Sequence, residues 1–242
     1  MHNEQSARID ISEIVAGWDK EPEGIWAISP GVDWCKKGYK IQVEKDCAIG
    51  QGVILGDLCK LGEGCRVGEL TRLHHGVILY SGTTISSFCT VGTLTAILSN
   101  VFIGDNCDIG PSCEIQSNTV IDRGGNISHG TTIREGCVLG LGCELGRNSY
   151  ISKNCTLDNY CTLGSHSHVG PGARDVTDLG FVEGYRKCIA QVDGVAYIGA
   201  GCRWFTLKAA LAHWSYNPRR VKTLALMESA KRIAQINDWK WE

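Results

Sequence analysis

IGDNCD, residues 103–108, is one unit of a six-residue pattern that holds a single register from Val43 to Arg174. Every sixth residue from Val43 to Val169 is Val, Ile or Leu, which makes 22 consecutive hexads without an insertion. Position two is Gly in 11 of the 22 units and position four is Gly or Asn in 14. Those residues tolerate φ > 0, so the chain can turn sharply within each hexad. Position five is small in every unit: ten Cys, five Thr, three Val, two Ser, one Ala and one Gly. Large and small residues thus alternate toward one interior.

A six-residue period is incompatible with an amphipathic helix, which needs apolar residues at i, i+3, i+4 and i+7; it suits a short strand, a turn and another short strand. Three hexads make a triangular coil of 18 residues, and the run holds about 7.3 coils. At roughly 4.8 Å per layer they stack into a prism about 35 Å long.

The flanks are different. Residues 1–42 carry no repeats and contain Trp18, Trp26, Trp34 and the turn-forming Ser29-Pro30-Gly31. They read as an N-terminal cap over the first coil, whose open strand edges would otherwise invite aggregation. Residues 175–242 read as a hairpin, RKCIAQVDGVAYIGAG, turning at Asp193-Gly194, followed by two helices. Thr206 caps the first, which runs through Trp214, and Asn217-Pro218 opens the second, which runs to about Asp238. Leu226, Met227, Ala230, Ile233 and Ala234 form the apolar face of that second helix, expected to pack on the prism or on a neighbouring subunit.

Composition narrows the function classes. A net charge of −2, with no basic tract, gives no electrostatic footprint for nucleic acid. MHNEQSARIDISEIV lacks the apolar core of a signal peptide, and no stretch approaches the roughly 18 apolar residues of a membrane span. The expectation is a soluble cytoplasmic protein with no membrane partner. Ten of the 13 cysteines fall at position five, where Thr, Val and Ser also occur, and behave as small buried fillers. Pairs one coil apart, such as Cys47/Cys65, have parallel Cβ vectors that suit a disulfide poorly, so reduced thiols are expected. No CxxC pair supports a zinc ribbon.

The register also sorts the polar residues. His74, His75, His129, His166 and His168 lie in hexads starting at 73, 127 and 163, which differ by multiples of 18, so five of seven histidines share one side of the prism. His75 and His129 both hold position three, three coils and hence about 14 Å apart, too far to share one metal ion. Arg147 is one coil beyond His129 in the same column. Leu58, Ile78, Leu94 and Ala96 lie outward on the same side, and such a strip marks an interface.

Tandem units of aliphatic-Gly-x-x-small-x resemble the hexapeptide-repeat, left-handed parallel β-helix superfamily, which includes many acyl- and acetyltransferases and the γ-class carbonic anhydrases. The resemblance covers residues 43–174. It implies a mainly β fold, a left-handed parallel β-helix of about seven coils, here with an N-terminal cap and a C-terminal hairpin plus α-helical extension. It also implies a homotrimer with active sites in grooves between subunits.

IDRGGNISHGTTI places His129 after an aliphatic residue in a way similar to the I-A-H and I-D-H patterns of lipid A acyltransferases and serine acetyltransferases, where the histidine is the general base. A free imidazole titrates near neutrality and fits that task. The catalytic candidates are His129 first and His75 second, and Arg147 is the candidate for holding a phosphate of coenzyme A. The implied donor is acetyl-CoA or another acyl thioester, and no metal is expected. Carbonic anhydrases pair the position-three histidine with a position-two histidine in the next hexad; here Tyr80 and Arg134 stand there.

Two readings remain open. The first is an acyltransferase acting on a hydroxyl or amine of a small molecule or saccharide. The second is a non-catalytic homotrimer that binds or sequesters a small anionic ligand in its grooves, or a structural and assembly element. The family's acyltransferases interrupt their coils with a loop that helps form the acceptor pocket, and no such loop breaks these 22 units. Acceptor recognition then falls to residues 1–42, to residues 175–242 or to bare coil.

Overall fold

The computed structural model describes residues 9–10, 26–27, 41–201, 203–216 and 220–241. Within the repeat, each hexad forms one two-residue strand that ends on its aliphatic residue, and the strands stack into three parallel sheets. The first sheet runs from Gln42–Val43 to His168–Val169, the second from Ala48–Ile49 to Thr156–Leu157, and the third from Ile54–Leu55 to Thr162–Leu163. Strands within a sheet are 18 residues apart, as Thr84↔Phe102 and Asn126↔Glu144 illustrate. The fold is therefore the parallel β-helix of about seven coils that the hexads predict.

The 22 aliphatic residues point into the prism and none is more than 6% exposed. Each contributes about 1.5–3 kcal/mol of burial to the stack. Position four carries φ between +54° and +72° in all 22 hexads, including thirteen residues that are not glycine, from Asp46 to His166. The turn therefore sits there, as the frequency of Gly and Asn predicts.

Position two is a correction. Its glycines do not adopt positive φ; nine of the eleven have the backbone of the next coil lying against them, and Gly164 and Gly170 meet Arg186 and Trp204 of the C-terminal sheet. A Cβ on Gly92 would meet Pro111 N at 2.4 Å, and one on Gly146 would meet Ser165 N at 2.2 Å.

Position five also does more than fill space. Its thiols and hydroxyls donate to the position-two carbonyl one coil on: Thr71 Oγ1 to Ser86 O at 2.8 Å, Cys113 Sγ to Ser128 O at 3.2 Å, Thr131 Oγ1 to Gly146 O at 3.0 Å. Those carbonyls lie beyond the strand ladder and are satisfied from inside the prism. The eleven described cysteines are all free thiols.

At the N-terminal end, Ile9–Asp10 and Trp26–Ala27 pair antiparallel with Ile54–Leu55 and Ala48–Ile49, adding a strand to the first coil on two of its three sheets. The other features expected of a cap, Trp18, Trp34 and Ser29-Pro30-Gly31, lie outside the described residues, as does Asn217-Pro218.

At the other end, strands Arg174–Val182, Tyr185–Val192, Val195–Ala200 and Arg203–Thr206 form an antiparallel sheet in chain order, with the expected turn at Asp193-Gly194. It lies against the last coil: a Cβ on Gly170 would meet the Trp204 ring at 2.3 Å, and Cys188 Sγ donates to His168 O. Helix α1, Leu207–Ser215, is capped by Thr206, whose hydroxyl accepts from Ala209 N at 3.2 Å. Helix α2 spans Val221–Ile236. Met227, Ala230 and Ala234 of α2 join Ile189, Ile198, Leu207 and Ala210 in a second core of their own. The partner of α2 is thus the C-terminal sheet and α1 rather than the prism.

Candidate functional site

Two residues of each hexad, positions three and four, are turn, and this moves the histidines. The sequence places them on one side of the prism; in the structure His75, His129 and His166 are turn residues along the edge between the third and first sheets. His168 instead begins the last strand of the first sheet, where its ring stacks on Tyr150 with centroids 5.0 Å apart. Burial pushes the His168 imidazole below its usual pKa. The apolar strip divides likewise: Leu58 and Leu94 sit on the histidine edge, while Ile78 and Ala96 face outward from the first sheet beside it.

Along that edge, position three of successive coils forms a column that includes Pro111, His129 and Arg147. These three lie in one open depression, floored by Gly110 and Ser128 and flanked by Asp108 and Asn126 from the strands of the third sheet. His75 does not line it. The two candidate bases are therefore separate, whereas His129 and Arg147 come together.

The backbone beneath His129 is held tightly. Gly110 lies directly under it, with its own N–H donating to Ile127 O at 2.6 Å. The Ser128 carbonyl accepts from Cys113 and the Gly146 carbonyl from Thr131, so the residue preceding His129 and the one preceding Arg147 are both tethered from the core. Asn148 N donates to His129 O at 2.9 Å. Gly130 N–H, an apparent donor for a substrate in a glycine turn, is already given to Pro111 O at 3.0 Å. Among the described residues the N–H groups of His129 and Arg147 donate to no protein acceptor. Elsewhere this position is served by side chains, as when Asp105 accepts from Ser87 N at 2.9 Å.

Other features bear on assembly and metal. Phe102, Val120 and Val138 occupy the outward position of three successive coils of the second sheet and are 37–43% exposed. This second apolar column is readable at position six of the hexad and lies away from the histidine edge. No three His, Cys, Asp or Glu side chains among the described residues are grouped to hold a metal ion. No described helix is long and apolar enough to cross a membrane.

No protein-family model matches the sequence, and no curated protein matches it. Among solved structures, the chain is similar to the UDP-N-acetylglucosamine O-acyltransferase of Moraxella catarrhalis, at 13% identity over 56% of this chain and 68% of that one, with a TM-score of 0.39. The acyltransferase of the same name from Bacteroides fragilis aligns at 16% identity over 55% and 68%, with a TM-score of 0.38. The Arabidopsis UDP-N-acetylglucosamine acyltransferase aligns over 76% and 77% at 14% identity, with a TM-score of 0.23. At this level the likeness is one of backbone, and the β-helix stands on the strand ladders of this chain itself.

Proposed function

We propose that the protein is an acyltransferase that moves an acyl group, acetyl first, from a coenzyme A-type thioester to a hydroxyl or amine of a small molecule or saccharide, in grooves between the subunits of a homotrimer. The observation that carries this reading is the juxtaposition of His129 and Arg147 on adjacent coils of one depression. In this reading His129 takes the proton from the acceptor as its oxygen or nitrogen attacks the thioester carbonyl. The tetrahedral oxyanion forms beside the N–H groups that the coil leaves unused, those of His129 and Arg147. Collapse breaks the carbon–sulfur bond, and the thiolate leaves with the proton held by His129. Arg147 holds a phosphate of the donor, which its planar guanidinium fork suits. Asp108 and Asn126 offer polar groups to a hydroxylated acceptor. His75 is the second candidate base, for a site of its own three coils away.

The uninterrupted coil favours a second reading, a homotrimer that binds a small anionic ligand in the same groove without turning it over, or serves as a structural element. Incubation with acetyl-CoA, longer acyl-CoAs and a panel of acceptors, with thiol release as the signal, separates the two. Turnover that falls by about 10²–10⁴-fold in His129→Ala supports the first. Turnover unchanged in that variant removes the base assignment. No turnover, with an anion released from the native protein and seen by mass spectrometry, selects the second.

A further inference from the structure

Between the C-terminal sheet and helices α1 and α2 lies a partly enclosed cavity of about 360 Å³, beyond the last coil and separate from the His129 groove. Lys187, Arg203, His213 and Arg220 line it together with the rings of Tyr185 and Trp214. Lys187, in the strand Tyr185–Val192, is 2% exposed. Its Nζ donates to the carbonyls of Val182 at 2.7 Å and Tyr185 at 3.3 Å. An ammonium has three protons to give, so one remains.

The charges around this cavity do not balance. Among the described residues neither Lys187 nor Arg203 forms an ion pair, and Arg203 Nη1 lies 3.5 Å from His213 Nε2. Glu183, the carboxylate nearest to Arg220 at 3.9 Å, is committed elsewhere: it accepts from the Thr223 hydroxyl and from Lys222 N at the start of α2. Among the described residues, three cations against one carboxylate leave a surplus of two positive charges, in a chain whose net charge is −2. Burying a lysine without a counter-ion is costly, and burial pushes the Lys187 ammonium below its usual pKa.

We propose that this cavity binds a small phosphate-bearing molecule, its phosphate held by Lys187, Arg203 and Arg220 and a flat organic group resting against Trp214. A phosphate monoester carries close to two negative charges at neutral pH and matches the surplus, and guanidinium forks meet its oxygens two at a time. The volume falls in the range of small-molecule sites, and the buried Trp214 wall offers an apolar face. A carboxylate such as citrate brings charge in a different geometry. The free phosphate ion brings the charge without the ring.

Isothermal titration of the full-length protein at low ionic strength tests this with inorganic phosphate, AMP, adenosine and citrate as probes. Saturable binding is expected for phosphate, tighter binding for AMP, and none for adenosine. Arg203→Gln should weaken AMP binding tenfold or more and leave the melting temperature of the unliganded protein unchanged, because Arg203 is exposed and forms no structural ion pair. Lys187→Met, which keeps the aliphatic stem, should do the same to binding. His129→Ala should bind AMP as the parent does. Absence of saturable phosphate and AMP binding at millimolar concentration overturns the proposal, as does wild-type affinity in Arg203→Gln. Citrate binding more tightly than AMP overturns the assignment to phosphate.

Discussion

Replacing Gly110 by Ala tests how closely the coils approach beneath the candidate base. The added Cβ would lie 2.7 Å from His129 N, 2.9 Å from Ser128 C and 3.0 Å from Ile127 O, all backbone atoms of the next coil. Ordinary contact begins at 3.4 Å, so the two layers must part locally by about 0.7 Å. That is a sizeable share of a layer spacing of roughly 4.8 Å. It stretches the bond from Gly110 N to Ile127 O, now 2.6 Å, and lifts the turn that carries His129. Overpacking of this kind costs about 1–3 kcal/mol, and 2 kcal/mol lowers the melting temperature of a chain of this size by roughly 4–8 °C.

Gly64→Ala is the matched control. Its φ is +69° and nothing lies within 4 Å of the added Cβ, so it pays only the left-handed backbone penalty of about 1 kcal/mol. Thermal melts by circular dichroism, with thiol release measured on the same samples, read both effects. Gly110→Ala is expected to melt below Gly64→Ala and to lose turnover, while Gly64→Ala keeps it. If Gly110→Ala melts with the parent, position-two glycines are not there for close stacking and the reasoning fails.

Three further outcomes follow from the same geometry. Thr71→Val keeps the shape but leaves the Ser86 carbonyl without its donor; it should cost about 1–3 kcal/mol in urea denaturation, and a variant as stable as the parent would show that these hydroxyls are only fillers. His168 has its folded-state pKa lowered by burial, so the unfolded chain binds its proton more readily. Stability should therefore rise with pH through the interval from that depressed value up to the ordinary imidazole pKa, and His168→Gln should flatten this slope in a pH series of melts. Light scattering should report three copies of the 26.3 kDa chain, and a monomer would remove the intersubunit groove.

The β-helix was legible because its driving residues repeat: an aliphatic residue every sixth position names the interior, and Gly or Asn at position four names the turn. What the sequence misassigned were residues with two physical uses. Glycine at position two serves close approach, not φ > 0. Cysteine, threonine and serine at position five are small and are also donors, and only the next coil reveals their acceptors. The histidines moved from a side to an edge because strand and turn share each hexad. An amphipathic pattern marks the apolar face of α2 but not what it meets, and here it meets a sheet built from residues 174–206. The cavity behind that sheet gathers Lys187, Arg203 and Arg220 from separate elements, and no local pattern in the sequence joins them.

A crystal of the protein soaked with coenzyme A tests the central proposal most directly. Density is expected in the groove where His129 meets a neighbouring subunit, with a phosphate on the Arg147 guanidinium and the thiol within hydrogen-bond reach of the His129 imidazole. A His129 groove that stays empty at saturating coenzyme A would contradict it.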